Sequence, residues 1–280
     1  MKNQENKTLL KEFRTKIYSR PNSTDPYLNE VLFGLLERYF ERVPDASRIF
    51  QLTKDRGDWI KNDHIAFRTL DIRSLLKVFL PYDYTVQFDD QKNKTPFNFK
   101  EKKLTAVWLK HPNTDMPRIF ISEYRLDESP EIKAIVQPYL DQLDDPIDTI
   151  DYTDTGAVIH YLHSGRWPTP TYEDYAKLSE VSEYLSWVMY NEYYLNHFTL
   201  TVNVLNSFNF NKNLQEFIET QQKQYQDIPE EEKKEYEEHY LSKLNDIYEK
   251  NMQQFNHYLE EEGFMLNAPG GQSLNISADK

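Results

Sequence analysis

His64 and His197 are the residues whose type and setting best suit chemistry. Neutral imidazole is a common ligand of divalent iron and zinc, and two histidines with one carboxylate form the usual iron(II) oxygenase set. Such a set leaves coordination positions open for a bidentate ligand and for dioxygen. Each histidine stands in an apolar run with alternating character: Asp63-His64-Ile65-Ala66-Phe67-Arg68-Thr69-Leu70 and Leu195-Asn196-His197-Phe198-Thr199-Leu200-Thr201-Val202-Asn203. An unpartnered imidazole is unfavourable to bury in such a run. Taken singly, each reads first as a core histidine with its hydrogen bonds satisfied or as a strand-edge residue, ahead of a metal ligand. Their matching places in two halves of the chain point instead to a shared site.

Arg68 falls on the face of His64, because residues i, i+2 and i+4 of a strand point the same way. At strand rise the two Cα atoms are about 13 Å apart. A guanidinium fork at that distance can reach back to clamp the far carboxylate of a small metal-bound anion; a strand-end salt bridge explains it as well. Glu123, in Arg118-Ile119-Phe120-Ile121-Ser122-Glu123-Tyr124, is the candidate carboxylate ligand, with pairing to Arg118 or Arg125 as the alternative. His111, His160 and His163 are expected at the surface, in turns or a connector. His239 and His257 belong to a charged helix, and the acidic run 230–238 reads as a solvated face. GxSxG, HExxH and a credible serine triad are absent, which weakens a hydrolase reading.

The elements that must position these residues follow from periodicity. Leu28, Val31, Leu32, Leu35, Leu36, Tyr39, Phe40 and Val43 recur at helical spacing after the cap-like Asp25-Pro26. A short helix is expected over 45–52. Then the period becomes two: a strand over 63–70, a helix over 74–80, and strands over 84–88, 104–109 and 118–124 make a β-α-β-β-β unit. Residues 128–145 read as helix, 146–170 as an irregular connection, and 172–190 as one helix. The second histidine strand follows, then a long charged helix to Gly263 and a short strand over 264–266. The halves repeat in element order, not in letters. The expected divisions are a helical region 1–58, a first module 59–145, a connector with a helix 146–192, and a second module 193–280. The second module looks incomplete at its C-terminal side.

Composition narrows the classes of function. A length of 280 residues with 39% hydrophobic and 28% charged content suits a soluble globular chain with a real core. The absence of cysteine excludes disulfides, thiolate metal sites and cysteine nucleophiles. A formal charge of −13 argues against nucleic acid as a partner. It leaves room for a small anion, since a local arginine can dominate a pocket. Seven glycines, with neither GxGxxG nor GxxxxGK[ST], argue against a phosphate-cradling loop. No apolar run is long enough for a membrane span, and the N-terminal residues lack the pattern of a secretory signal. A cytoplasmic location is the expectation; the oligomeric state is left open.

Several motifs together resemble a known family. They are residues 62–70, residues 118–124, Pro170-Thr171-Tyr172-Glu173-Asp174-Tyr175, and Ser182-Glu183-Tyr184-Leu185-Ser186-Trp187-Val188-Met189 leading into Asn196-His197-Phe198-Thr199. In order and spacing they resemble the 2-oxoadipate dioxygenase/decarboxylase family, also called 2-hydroxyglutarate synthases, over most of residues 30–280. The resemblance implies an α+β fold of paired glyoxalase-like (vicinal oxygen chelate) β-α-β-β-β modules, with an N-terminal helical region and helical insertions. It implies an Fe(II) centre held by His64 and His197, with Arg68 binding substrate. The reaction implied takes 2-oxoadipate, or a similar 2-oxo dicarboxylic acid, and dioxygen to 2-hydroxyglutarate and carbon dioxide. The family's metal carboxylate, a glutamate in the closing strand of the second module, has no counterpart found before Lys280. A truncated version is therefore expected; the alternative is that Glu123 or another group substitutes. The alternatives are a glyoxalase-type lyase or isomerase using zinc or nickel, and a catalytically incomplete binding module.

Overall fold

A long amphipathic helix opens the part of the chain that the computed structural model describes, residues 26–143 and 146–266. This helix, α1 (Pro26–Arg42), buries the expected stripe Leu28, Val31, Leu32, Leu35, Leu36 and Phe40. After it, α2 (Pro44–Asp55) precedes β1 (Lys61–Thr69), α3 (Ile72–Phe79), β2 (Thr85–Gln87), β3 (Phe97–Phe99), β4 (Leu104–Lys110) and β5 (Arg118–Tyr124). Then come α4 (Pro130–Leu140), α5 (Thr155–His163), α6 (Tyr172–Val181), α7 (Glu183–Asn191), β6 (Leu195–Thr201), α8 (Phe210–Tyr225) and α9 (Lys233–Glu261). The chain divides into two compact units. The first holds residues 26–42 and 62–199, and the second holds 43–61 and 200–266.

The strands form one mixed sheet in the order β2-β4-β5-β1-β6, with β3 also paired to β4. β1 and β5 run parallel, pairing His64 with Arg118, Ala66 with Phe120 and Arg68 with Ser122. β4 runs antiparallel to β5, bringing Trp108 opposite Phe120 and Ala106 opposite Ser122. Partners across a ladder share a face. One face is therefore Ile65, Phe67, Ile119, Ile121, Val107 and Leu109, all buried in the cluster that also holds Leu75, Val78 and Phe79 of α3 and Leu28, Val31, Leu32 and Leu35 of α1. The other carries His64, Ala66, Arg68, Phe120, Ser122, Ala106 and Trp108. The Asp71 side chain starts α3 by accepting from Arg73 N, and the Phe79 ring meets Phe67 at 5.6 Å between centroids.

The second unit is helical. Leu205, Phe210, Phe255, Leu259 and Phe264 form its core. Asp58 ties its loops by accepting from Asn206 N and Ser207 N at 2.8 and 2.9 Å. The Arg56 guanidinium covers the rings of Phe208 and Tyr258. On α9, Tyr240 stacks on Phe217 of α8 at 5.6 Å.

Several expectations are corrected. The stretch 146–170 contains a helix, α5, started by the Asp154 side chain on Ala157 N and burying Val158, Tyr161 and Leu162. The expected helix 172–190 is two helices, because Ser182 leaves helical geometry and its hydroxyl accepts from Leu185 N to begin α7. Residues 264–266 are not a strand; Phe264 turns into the helical core under the Arg48 guanidinium. Of the second module, the described residues contribute one strand, β6, to the sheet. His111 and His163 are not surface residues: His111 is 4% exposed and its Nδ1 accepts from Asn113 N, closing a turn, while His163 is half-buried against Tyr194.

Because Ile121 is fully buried at the centre of the sheet, Ile121→Ala should destabilise the protein by about 2–5 kcal/mol. Urea denaturation, read by the shift in midpoint at constant slope, checks this.

Candidate metal and substrate site

The exposed sheet face opens into a cavity of 710 Å³, lined by His64, Ala66, Arg68, Ala106, Phe120, Ser122 and His197 among others. The histidines are supplied by neighbouring strands, β1 and β6, and their ring centroids are 5.7 Å apart. β6 is launched by Glu192, a non-glycine residue at φ +57°. Its carboxylate accepts from Arg166 N, which holds that unfavourable backbone in place.

In both histidines Nδ1 is engaged by the side chain immediately before it. His64 Nδ1 lies 2.8 Å from Asp63 Oδ2, and His197 Nδ1 lies 2.8 Å from Asn196 Oδ1. Carboxylate and carbonyl oxygens only accept, so each neutral ring carries its proton on Nδ1 and presents a lone pair at Nε2. His64 Nε2 takes the Thr199 hydroxyl at 2.8 Å. Asp63 is held in turn by Arg118 Nη2 at 3.5 Å. The fixing of the remote nitrogen by a carboxylate or carbonyl is the habit of metal-binding histidines. The signal for it was present in the sequence as the repeated pair Asp63-His64 and Asn196-His197. His197 is reached by solvent through the cavity mouth, yet the surrounding protein is dense. Burial first, then electrostatic repulsion from the neighbouring His64 and Arg68 side chains, lowers its pKa from 6.5 to about 4. It is therefore neutral and able to act as a ligand at physiological pH.

Arg68 sits on the same face, as expected, and is held from the α6–α7 junction. Its Nη1 lies 3.1 and 3.3 Å from the two carboxylate oxygens of Glu183. Its guanidinium lies 5.1 Å from the centre of the Tyr184 ring and 5.4 Å from that of Trp187, both within cation–π range. Tyr184 joins α7 to two strands: its hydroxyl accepts from Thr69 N at 3.1 Å and donates to Ser122 O at 2.7 Å. Burial pushes this phenol up to about 12. Glu183, Tyr184 and Trp187 were missed as site residues, although the run 182–189 was singled out by resemblance.

Glu123 is not brought to the histidines. In the β1–β5 register it pairs with Thr69, one residue out of phase with the Arg68–Ser122 pair, so it belongs to the opposite face of the sheet. There its Oε2 accepts from Ile72 N at 2.7 Å, at the start of α3, and burial raises its pKa. It pairs with neither Arg118 nor Arg125 in a direct ion pair: Arg118 meets Asp63 and Arg125 meets Glu128. Among the described residues, no three His, Cys, Asp or Glu side chains converge on one point, so no carboxylate joins His64 and His197 there. None of the described helices is long and apolar enough to cross a membrane.

Comparison with known proteins places this geometry. A protein of the glyoxalase superfamily from Ralstonia eutropha JMP134 superposes with a TM-score of 0.54 at 17% identity, covering 70% of this chain and 74% of its own. The architecture is thus an α+β fold of the glyoxalase-like class. A model of the 2-oxoadipate dioxygenase/decarboxylase family matches residues 31–237, and the chain belongs to that family. The structure of a hydroxyglutarate synthase in complex with 2-oxoadipate, from Oryza sativa, superposes with a TM-score of 0.63 at 28% identity, covering 90% of this chain and 69% of that one. The 2-oxoadipate dioxygenase/decarboxylase, chloroplastic/amyloplastic, of Oryza sativa subsp. japonica is 28% identical over 276 residues. The match takes in 92% of this chain, which spans 61% of that protein's length.

Two outcomes follow. Tyr184→Phe leaves the Thr69 N–H without its acceptor and should cost about 1–3 kcal/mol of stability in urea denaturation. In the ligand-free protein, the His197 ring should titrate near pH 4 by NMR rather than near 6.5. Between those values the unfolded chain binds the proton more readily, so this group lowers stability as pH falls from 6.5 to about 4 and leaves it untouched above.

Proposed function

We propose that this cavity binds iron(II) through Nε2 of His64 and His197 and a 2-oxo dicarboxylic acid between that centre and Arg68. The reaction proposed is the oxidative decarboxylation of 2-oxoadipate, or a similar acid, with dioxygen to give 2-hydroxyglutarate and carbon dioxide. The observation that carries this reading is the convergence of two Nδ1-protonated imidazoles and one arginine on a single cavity face. Membership of the family and the substrate named for the rice structure support it.

The donor set fits the metal. Two neutral imidazoles suit iron(II) as two members of a three-ligand facial set, and His197 is neutral above pH about 4. Iron(II), when bound, supplies a chelating centre for the 2-oxo acid and the electrons for dioxygen. The protein does the rest. Asp63 and Asn196 hold the Nδ1 protons and so keep both lone pairs available. Thr199 must release His64 Nε2 for that nitrogen to bind a metal. Arg68, about 13 Å along β1 from His64 at the Cα atoms, receives the distal carboxylate through a charge-assisted fork. Phe120, Ala66 and Ala106 give the cavity floor an apolar surface that keeps water from the alkyl chain. A cytoplasmic location, expected from the sequence, belongs to the same proposal; the rice relative is named for plastids.

Anaerobic addition of iron(II) and 2-oxoadipate should produce the absorption band of a 2-oxo acid chelated to iron(II). His64→Ala and His197→Ala should each abolish the band. Arg68→Ala should keep it but demand about ten- to a hundredfold more 2-oxoadipate, as expected for a lost charged hydrogen bond. A band that survives both histidine variants rejects the site. Zinc or nickel retained without oxygen consumption would favour a lyase or isomerase instead, and no retained metal would favour a binding module.

A further inference from the structure

Arg68 already holds a carboxylate. Glu183 straddles its Nη1 with both oxygens, at 3.1 and 3.3 Å. Glu183 stands at the first position of α7, behind the Ser182 cap, where the positive end of the helix also favours a negative charge. The two members of the pair differ in freedom. The Arg68 side chain is 26% exposed and the Glu183 side chain 76% exposed. Arg68 is pinned between strand and rings, while Glu183 is tied down only by the charge it meets. Both residues line the 710 Å³ cavity.

We infer that Glu183 is an internal competitor for the distal carboxylate of the ligand: it occupies Arg68 in the free protein and swings into solvent when a dicarboxylate binds. This rests on the reading that Arg68 anchors that carboxylate. The exchange swaps one carboxylate for another at Nη1 of the same guanidinium, so no charge is left buried and unpaired. It also sets a threshold. A ligand without a second carboxylate has nothing to exchange, and its apolar end must lie against an intact ion pair, which is unfavourable. Glu183 is thereby a specificity-determining residue rather than a catalytic one. Exposed ion pairs are weak, so the competition is readily reversed and its effect on affinity is correspondingly small.

The test uses adipate, a dicarboxylate of the right length that lacks the 2-oxo group and needs no metal to meet Arg68. Calorimetric titration compares the wild-type chain with Glu183→Gln, Arg68→Ala and Glu101→Gln. Glu101 also lines the cavity, so its variant removes an equal charge without touching Arg68. Competition requires adipate to bind Glu183→Gln about two- to fivefold more tightly, the range of an exposed pair, with Glu101→Gln unchanged. Equal tightening in both variants means bulk charge and overturns the inference; unchanged or weaker binding in Glu183→Gln overturns it too. Each of these leaves the anchoring role of Arg68 standing. Wild-type affinity in Arg68→Ala, or no adipate binding to the wild-type chain, overturns the anchoring role itself and the inference with it.

Discussion

Strand β1 lies between β5 and β6, and its two-residue alternation sets everything at the site. Ile65 and Phe67 are 0% and 1% exposed, each contributing about 1.5–3 kcal/mol by burial. A slip of one residue would turn them into the cavity and send His64 and Arg68 into the core. The hydrophobic contacts of one face therefore fix the chemistry of the other. Parallel pairing with β5 then places Phe120 and Ser122 beside Ala66 and Arg68, and β6 supplies the second histidine with its ring centroid 5.7 Å from that of the first.

Around that strand, preorganisation comes from short-range contacts. Asp63 and Asn196 each set the protonation of the histidine that follows them, so orientation is encoded in two dipeptides. Tyr184 performs the matching task for Arg68, since one buried hydroxyl ties α7 to β1 and β5. The arginine is consequently aimed by a helix more than a hundred residues away in sequence. The imidazoles proposed to hold the metal and the arginine proposed to hold the ligand's far carboxylate are thus oriented before either arrives, the kind of positioning that favours reaction.

Much of this was legible in the sequence and some was not, for identifiable reasons. The alternation 63–70 gave the strand, its two faces and the shared side of His64 and Arg68. The same alternation, applied to 118–124, already put Glu123 with Ile119 and Ile121. Since those isoleucines are core residues, Glu123 cannot share the open face. The helix α5 was hidden because nine residues hold barely two apolar repeats between proline-containing turns. The break at Ser182 was legible only as a serine inside a helical pattern, where capping and continuation look alike until the backbone is seen. Glu183, Tyr184 and Trp187 carry no metal-ligand or nucleophile signature, and only the tertiary path of α7 past Arg68 reveals their part.

The most direct measurement is diffraction at the iron absorption edge from crystals prepared anaerobically with iron(II). One anomalous peak bonded to Nε2 of both His64 and His197, with Asp63 and Asn196 still on the Nδ1 atoms, is the expected result. Iron bound elsewhere, or reached through Nδ1 of either ring, would contradict the assignment of this cavity as the metal centre.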